Sequence, residues 1–137
     1  MQQREATESD VLYMANHTTS RGCCGQYPET VDYVYALEEE GQVWGIGGIK
    51  LMTPTVAWAW MDWSEHAHQH KARAYRVVKE WLNRIVPTLG IKRLMAAIEC
   101  DFPEAITTVE HLGFQQESIM LNWTNKKPAY MYVRLME

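Results

Sequence analysis

Apolar residues recur at steps of three and four between residues 74 and 85, which is the spacing of one face of a helix. Pro87 follows shortly afterwards, as is typical just beyond the end of a helix. The pattern therefore predicts a long helix that packs against the core and ends before Pro87. The predicted apolar face consists of Ala74, Val77, Val78, Trp81, Leu82 and Ile85.

Two further helices are predicted from their end signals. Thr7 followed by Asp10 is an N-cap with an acid in the first turn, so a first helix is expected to begin there. Pro103 suits the first turn of a later helix, and Gly113 supplies its left-handed stop. These signals place helices near both ends of the chain.

The intervening segments have the composition of strands. Residues 33–37 and 43–51 are rich in β-branched, aromatic and small residues, and the acidic turn between them predicts a hairpin. In a third strand, small residues alternate with tryptophans as far as Asp62, which places Trp58 and Trp60 on one face. Further strands are predicted at the N-terminus, at 92–99, at 114–121 and at 130–133.

This order of elements predicts an α+β fold. We expect a mixed, largely antiparallel central sheet of about six to seven strands with helices on both faces. The chain has 137 residues, of which 47% are hydrophobic, so it can bury one core. Residues 1–137 are therefore expected to form a single domain.

Charge and cysteine content narrow the function classes. The formal charge of −4 argues against sequence-independent capture of nucleic acid, although a local basic patch stays open. No apolar run reaches the roughly 18 residues of a membrane span, and the N-terminus lacks the pattern of a secretion signal. Cys23, Cys24 and Cys100 do not form a disulfide framework. We therefore expect a cytoplasmic protein.

The sequence WSEHAHQHKAR, residues 63–73, holds three of the five histidines. His66, His68 and His70 share a face on a strand, whereas on a helix only the first and last do. With an acid such as Glu65 they could hold zinc, but an irregular segment with solvated or phosphate-facing histidines is the default. No metal is predicted, and the adjacent Cys23 and Cys24 lack a second pair at zinc-finger spacing.

Three motifs in order resemble one family. The opening RxATxxD at residues 4–10, the GIGGI strand at 45–49 and the closing EHLGF at 110–114 are similar to the GNAT acyltransferases. The resemblance covers nearly the whole chain. Residues 93–114, with a DFPEA turn, also look like small GNAT-like proteins encoded by tailed bacteriophages.

The resemblance implies a site for acetyl-CoA. In the family, the pantetheine arm lies in the splay between the fourth and fifth strands, and the pyrophosphate sits on the amides at the start of the following helix. Unpaired amides and a partial positive charge at a helix start suit phosphate. The positions implied for the cofactor are Met61, Trp63, His70, Lys71, Ala72 and Arg73.

The chain departs from the family in two places. The family's pyrophosphate loop contains glycines that let the backbone approach the phosphates, but no glycine lies between Asp62 and Tyr75. Many members also supply a tyrosine from the last helix as general acid, and Val109 stands at that position here.

Transfer to an amine needs a base, because the amine must lose a proton before it attacks the thioester. Asp62 and Glu65 are the first candidates, and Glu99 with Asp101 is the second choice; the alternative for the first two is capping of turns or of the helix start. Cys100 is expected to be a buried, inert thiol. Trp63 is the tryptophan expected to line the acceptor groove.

Three functions remain open from the sequence. The first is an acyl-CoA-dependent N-acyltransferase that acts on an amine of a protein, a small molecule or a modified base. The second is a catalytically degenerate phage protein of the same fold that acts as a virion-associated, inhibitory or regulatory partner. The third is a histidine-metal protein. If the chain is phage-encoded, the host cytoplasm is its expected location; a second copy of the chain is left open as a partner.

Overall fold

A computed structural model describes residues 2–17 and 32–136. The expectations for Cys23 and Cys24 fall outside this described part. The chain groups into two compact units, Met1–Leu51 with Ala59–Val77 and Met52–Trp58 with Val78–Glu137. Within the described ranges, no helix has the length and apolar character needed to cross a membrane.

The architecture is an α+β fold with a seven-stranded sheet, as predicted. The sheet order is β1-β2-β3-β4-β5-β7-β6. β4 and β5 pair in parallel, while the pairs β1–β2, β2–β3, β5–β7 and β6–β7 are antiparallel. The elements are β1 (Gln2–Glu5), α1 (Glu8–His17), β2 (Tyr33–Glu39), β3 (Gln42–Leu51), β4 (Val56–Trp63), α2 (Glu65–His68), α3 (Lys71–Thr88), β5 (Arg93–Glu99), α4 (Pro103–His111), β6 (Gln115–Thr124) and β7 (Lys127–Leu135).

The start of α1 is fixed by a reciprocal cap. The backbone N–H of Thr7 donates to Asp10 Oδ2 at 2.7 Å, and the N–H of Asp10 donates to Thr7 Oγ1 at 3.3 Å. This arrangement satisfies two amides that a helix start otherwise leaves open. Arg4 on β1 donates to both oxygens of Asp10 and to Glu38 on β2, so one guanidinium ties the cap to the sheet.

The core of the first unit forms where α1 packs on β2 and β3. Met14 is fully buried, and Ala36, Val43 and Ile46 join it from the two strands. Trp60 of β4 packs against this cluster while remaining partly exposed. The β2–β3 register shifts between Leu37 and Glu38, and this irregularity lets Val43 and Ile46, three residues apart on β3, join the same cluster.

The end of α3 corrects one prediction. Pro87 does not follow the helix but lies in its last turn; the helix ends at Thr88, and Gly90 just beyond it has a φ of +78°. The Gly90 N–H donates to the Pro87 carbonyl, and the Ile91 N–H donates to the Val86 carbonyl. These two bonds form a Schellman ending, and Pro87 contributes its carbonyl to that ending although it has no N–H to donate within the helix.

The buried stripe of α3 is also narrower than predicted. Ala74, Val78 and Leu82 are buried at steps of four, and Val86, which the predicted face omits, continues the series. The remaining predicted members, Val77, Trp81 and Ile85, are only partly buried. A step of four drifts slowly around a helix of 3.6 residues per turn, which explains why the stripe runs on to Val86.

α4 ends in the same way as α3, as Gly113 predicts. Gly113 has a φ of +93°, its N–H donates to the Glu110 carbonyl, and the Phe114 N–H donates to the Val109 carbonyl. Val109 and Phe114 are both buried, as in the hydrophobic contact that usually accompanies this motif. Val109 is therefore part of a helix ending.

β6 is the last strand of the sheet and carries exposed apolar side chains. Ile119, Leu121 and Trp123 are exposed, and the β6–β7 register shifts twice, between Gln116 and Ser118 and again after Met120. Asn122 has a positive φ of 54°, which suits asparagine better than a branched residue. The outer strand is therefore bent.

The cap at Asp10 predicts a measurable acid sensitivity. Its hydrogen bonds to Arg4 lower the pKa of Asp10 from 3.8 to about 2. The stabilisation is therefore present above pH 4 and lost as the pH falls through the folded value near 2. Asp10→Asn should lower the free energy of unfolding at pH 7 by about 2 kcal/mol.

Denaturant titrations from pH 7 to pH 2 would measure this effect. The difference between wild type and Asp10→Asn should shrink below pH 4, because a protonated Asp10 is as uncharged as the asparagine that replaces it. Glu8→Gln, an exposed acid in the same turn, serves as the matched control and should change little. A difference that stays constant down to pH 2 would refute the ion-pair explanation.

Candidate functional site

The floor of the candidate site is a close approach of β3 to β4. A Cβ built on Gly45 would lie 2.6 Å from the Asp62 carbonyl oxygen and 3.1 Å from the Trp63 ring. A Cβ on Gly48 would lie 2.5 Å from the Trp60 indole. No side chain fits at either distance, so the glycines of GIGGI are what allow the tryptophans of β4 to lie against β3.

The end of β4 is joined to the next helix by Ser64. Its N–H donates to the Trp44 carbonyl of β3 at 2.8 Å, and its Oγ accepts from the Ala67 N–H at 3.4 Å. Ser64 is fully buried and acts as the N-cap of α2, whose first turn contains Glu65. The segment predicted to be irregular is therefore a one-turn helix fixed to the sheet.

Two residues, Gln69 and His70, separate the end of α2 from the start of α3. The His70 N–H donates to the Ala67 carbonyl at 2.9 Å, and the His70 carbonyl accepts from the Ala74 N–H at 3.1 Å. The amides of Lys71, Ala72 and Arg73 lie within the first turn, where helix geometry provides no acceptor. This first turn carries partial positive charge and exposed side chains.

Two of the three clustered histidines pack on a buried tryptophan. The His66 ring lies edge-on to Trp44, with centroids 4.9 Å apart, and the His70 ring is 5.4 Å from both Trp44 and His66. Trp44 is 2% exposed, whereas His68 faces solvent. The spacing of four residues therefore places His66 and His70 together, and with Trp44 they form an aromatic cluster of edge-on and tilted rings.

Arg73 belongs to the same cluster. Its guanidinium lies 5.7 Å from the Trp44 ring centroid and forms an ion pair with Glu39 at the end of β2. The side chain is 47% exposed, so its charge remains accessible to water. Arg73 thus connects the start of α3 to the β2–β3 hairpin.

The predicted bases differ widely in exposure. Asp62 is 2% exposed, near the end of β4, while Glu65 is exposed at the start of α2. Glu99 belongs to the second unit, at the end of β5, where Lys127 Nζ lies 3.9 Å from Glu99 and 3.5 Å from Asp101. The structure therefore brings Asp62 and Glu65 into one segment and gives Glu99 a lysine neighbour.

The predicted cofactor positions all lie in the first unit. Met61 and Trp63 are partly buried on β4, and the Trp63 ring meets Tyr75 of α3 edge-on at 6.3 Å. The remaining four, residues 70–73, are exposed around the start of α3. The segment from Met61 to Arg73 thus runs continuously from a strand end to a helix start.

Two further expectations concern the second unit. Val109 is 5% exposed, at the position where the family places its tyrosine. Cys100 is partly exposed, so the expectation that its thiol is buried is wrong; its N–H donates to the Pro128 carbonyl at 3.2 Å.

Sequence reasoning missed Trp44, Glu39 and the role of Ser64. Serine followed by an acid in the first turn is a cap signal, so Ser64 could have been found. Trp44 and Glu39 contact residues more than twenty positions away, and no local pattern encodes such contacts. In residues 2–17 and 32–136, no three His, Cys, Asp or Glu side chains are grouped as metal ligands.

Solved structures resemble the chain over nearly its full length. A chimera of the Vibrio cholerae spermidine N-acetyltransferase SpeG with hSSAT superposes with a TM-score of 0.78 at 13% identity, over 98% of this chain and 96% of that chain. Ard1 from Thermoplasma volcanium gives 0.76 at 15% identity, over 99% and 97%. The chain has the GNAT fold.

A third structure supports the same assignment. The ribosomal-protein-S18-alanine N-acetyltransferase from Escherichia coli superposes on the GNAT fold of this chain with a TM-score of 0.74 at 14% identity, over 98% and 92% of the two chains. No protein-family model and no curated protein sequence matches the chain. At these identities the likeness establishes the fold.

The close approach at β3 predicts a steep cost for a single methyl group. Gly45→Ala would place a Cβ against the Asp62 backbone, which can yield only if β3 and β4 separate, so the free energy of unfolding should fall by about 1–3 kcal/mol. Gly47→Ala is the matched control, because its Cβ would lie 3.1 Å from the Trp60 carbonyl and needs a smaller shift. Equal stabilities of the two variants in denaturant titrations would contradict this account.

Proposed function

We propose that this protein is an acyl-CoA-dependent N-acyltransferase, with acetyl-CoA as donor and an amine as acceptor. The observation that carries the proposal is the continuous segment from Met61 to Arg73, which joins the end of β4 to an open helix start within a GNAT fold. The proposal treats residues 1–137 as one domain. A bacteriophage origin, and with it the host cytoplasm, stays a prediction from residues 93–114.

The donor would lie along the end of β4 and on the start of α3. Met61 and Trp63 would flank the pantetheine arm, and the amides of residues 71–73 would bind the pyrophosphate. Lys71 is exposed and can add charge without breaking an ion pair with the hairpin. Arg73 would have to share its guanidinium between the phosphates, Glu39 and Trp44, so Lys71 is the stronger candidate.

The absence of glycine from this segment is compatible with binding through the helix start. His66 and His70 pack against Trp44, and His70 remains exposed next to the start of α3. A phosphate would therefore meet helix amides and the Lys71 side chain. Exposed His68 and His70 can also donate to it from their rings.

The base would come from the same segment. Glu65 is exposed and can accept a proton from the amine directly or through water, whereas buried Asp62 would act through a water-filled path or by orienting a neighbour. Glu99 remains the second choice. With Val109 in place of the family's tyrosine, the leaving thiolate of CoA would take its proton from water or from another side chain.

Calorimetric titration with acetyl-CoA tests the donor site. The proposal expects a dissociation constant of about 1–100 μM, weakened about tenfold by Lys71→Ala and further by adding Arg73→Ala, since each removes a charged contact to phosphate. Lys79→Ala, an exposed lysine farther along α3, is the control and should bind like wild type. No heat or thermal shift at millimolar acetyl-CoA would refute the donor assignment.

Turnover tests the base. CoA release would be measured with spermidine and with a peptide that starts with alanine, the acceptors named for two of the similar structures. Glu65→Gln or Asp62→Asn should lower kcat about 100-fold while acetyl-CoA affinity is retained, because a general base contributes at least that much.

Glu80→Gln, an exposed acid on α3, is the control for the turnover assay. Unchanged kcat in both Glu65→Gln and Asp62→Asn would reject the two bases. Acetyl-CoA binding without release of CoA for any amine would instead favour a protein that has kept the donor site and lost catalysis.

A further inference from the structure

The second unit contains a pocket that plays no part in the proposed reaction. Its volume is about 640 Å³, within the range of small-molecule sites. It lies between the end of α3, the junction of α4 with β6, and the end of β7. The residues that line it include Asn83, Pro87, Gly113, Gln115, Arg134 and Leu135.

Arg134 differs from the arginines that form ion pairs. Arg4, Arg73 and Arg93 each contact a carboxylate of Asp10, Glu39 or Glu117, respectively. Arg134 instead donates through Nη2 to the neutral amide oxygen of Asn83. Its Nη1 is buried and has no hydrogen-bond partner in the described part of the chain.

The charge of Arg134 therefore carries a desolvation cost, and no carboxylate in the described pocket lining offsets it. Burial lowers the pKa of Arg134, whereas the pKa of Arg93 is raised by its bonds to Glu117. A guanidinium remains protonated at neutral pH even so, because its ordinary pKa is above about 12. An anion in the pocket would supply the missing counter-charge.

Gly113 keeps the guanidinium in place. A Cβ built there would lie 3.1 Å from Arg134 Nε, and the φ of +93° disfavours any other residue. The glycine that ends α4 thus also leaves room for a cation beside a helix C-terminus, where the helix dipole is favourable to it. The dipole offsets only part of a full charge.

We propose that this pocket binds a monoanionic carboxylate attached to an apolar group. Arg134 is the one cation in the pocket lining that the structure describes, so it balances one negative charge. The second charge of a phosphate dianion would have no partner there. A carboxylate would supply the counter-charge of the guanidinium, and Asn83 and Gln115 add neutral donors. Pro87 and Leu135, the latter 66% exposed, offer apolar surface for the attached group.

The carboxylate can belong to a free acid or to the C-terminus of a peptide, and two probes distinguish these sources. Hexanoate represents the free acid and N-acetyl-leucine the chain end; hexanamide and N-acetyl-leucinamide are their neutral counterparts. In NMR titrations, the amide signals of Gly113 and Gln115 should shift with one or both acids. The neutral counterparts should bind at least about tenfold more weakly, as expected for loss of a charged hydrogen bond.

The variant Arg134→Met tests whether Arg134 binds a ligand or only supports the fold. It should abolish the shifts and leave the melting temperature of the unliganded protein unchanged or higher, because it removes a partly buried charge that has no carboxylate partner in the pocket lining. Arg134→Lys is the second variant. It should fold normally and bind the acids about tenfold more weakly, since it keeps the charge without the planar guanidinium. Arg84→Met, an exposed arginine of α3, is the control and should bind like wild type.

Three results would overturn the proposal: no shift with either acid, equal binding of acid and amide, or tighter binding of inorganic phosphate than of the acids. A fall in melting temperature for Arg134→Met with wild-type binding by Arg134→Lys would also do so. The proposal does not depend on acetyl-CoA, so it can fail or succeed independently of the donor site.

Discussion

The first unit depends on the absence of side chains at three positions of β3. Because Gly45, Gly47 and Gly48 have no side chains, the space beside the strand is free, and the backbone and tryptophans of β4 lie directly against it. The end of β4, Ser64 and the start of α2 follow from that contact, since Ser64 donates to the neighbouring β3 carbonyl. The position of the helix start that is proposed to bind phosphate is therefore set by steric fit between two strands, at a distance from the phosphate site itself.

The elements of this fold were largely predictable because their signals are local. Thr7 with Asp10 and the turn at Gly113 act through bonds to residues nearby in the chain, and Pro103 acts through its fixed backbone angle at the start of α4; each did what its type predicts. Pro87 misled because the helix is ended by the positive φ of Gly90, three residues later, and not by the proline. Helix starts were predictable where a capping residue was present, and helix ends were predictable where a glycine followed.

The site was less predictable because its contacts are not local. The histidines of residues 66–70 suggested metal by their number, yet His66 and His70 are engaged with Trp44, more than twenty residues earlier in the chain. Arg73 was predicted from its position at a helix start, but its partner Glu39 depends on how the hairpin is placed. Burial separates Asp62 from Glu65, and no one-dimensional pattern distinguishes two carboxylates three residues apart.

The bent outer strand β6 has a consequence for how molecules of this protein meet at high concentration. A straight strand with Ile119, Leu121 and Trp123 exposed would present an unbroken row of amides and carbonyls beside an apolar surface. Such an edge is a template for sheet pairing between molecules. The two register shifts and the left-handed Asn122 interrupt that row. Colloidal stability at this edge thus rests on backbone irregularity instead of charge, since residues 118–123 carry none.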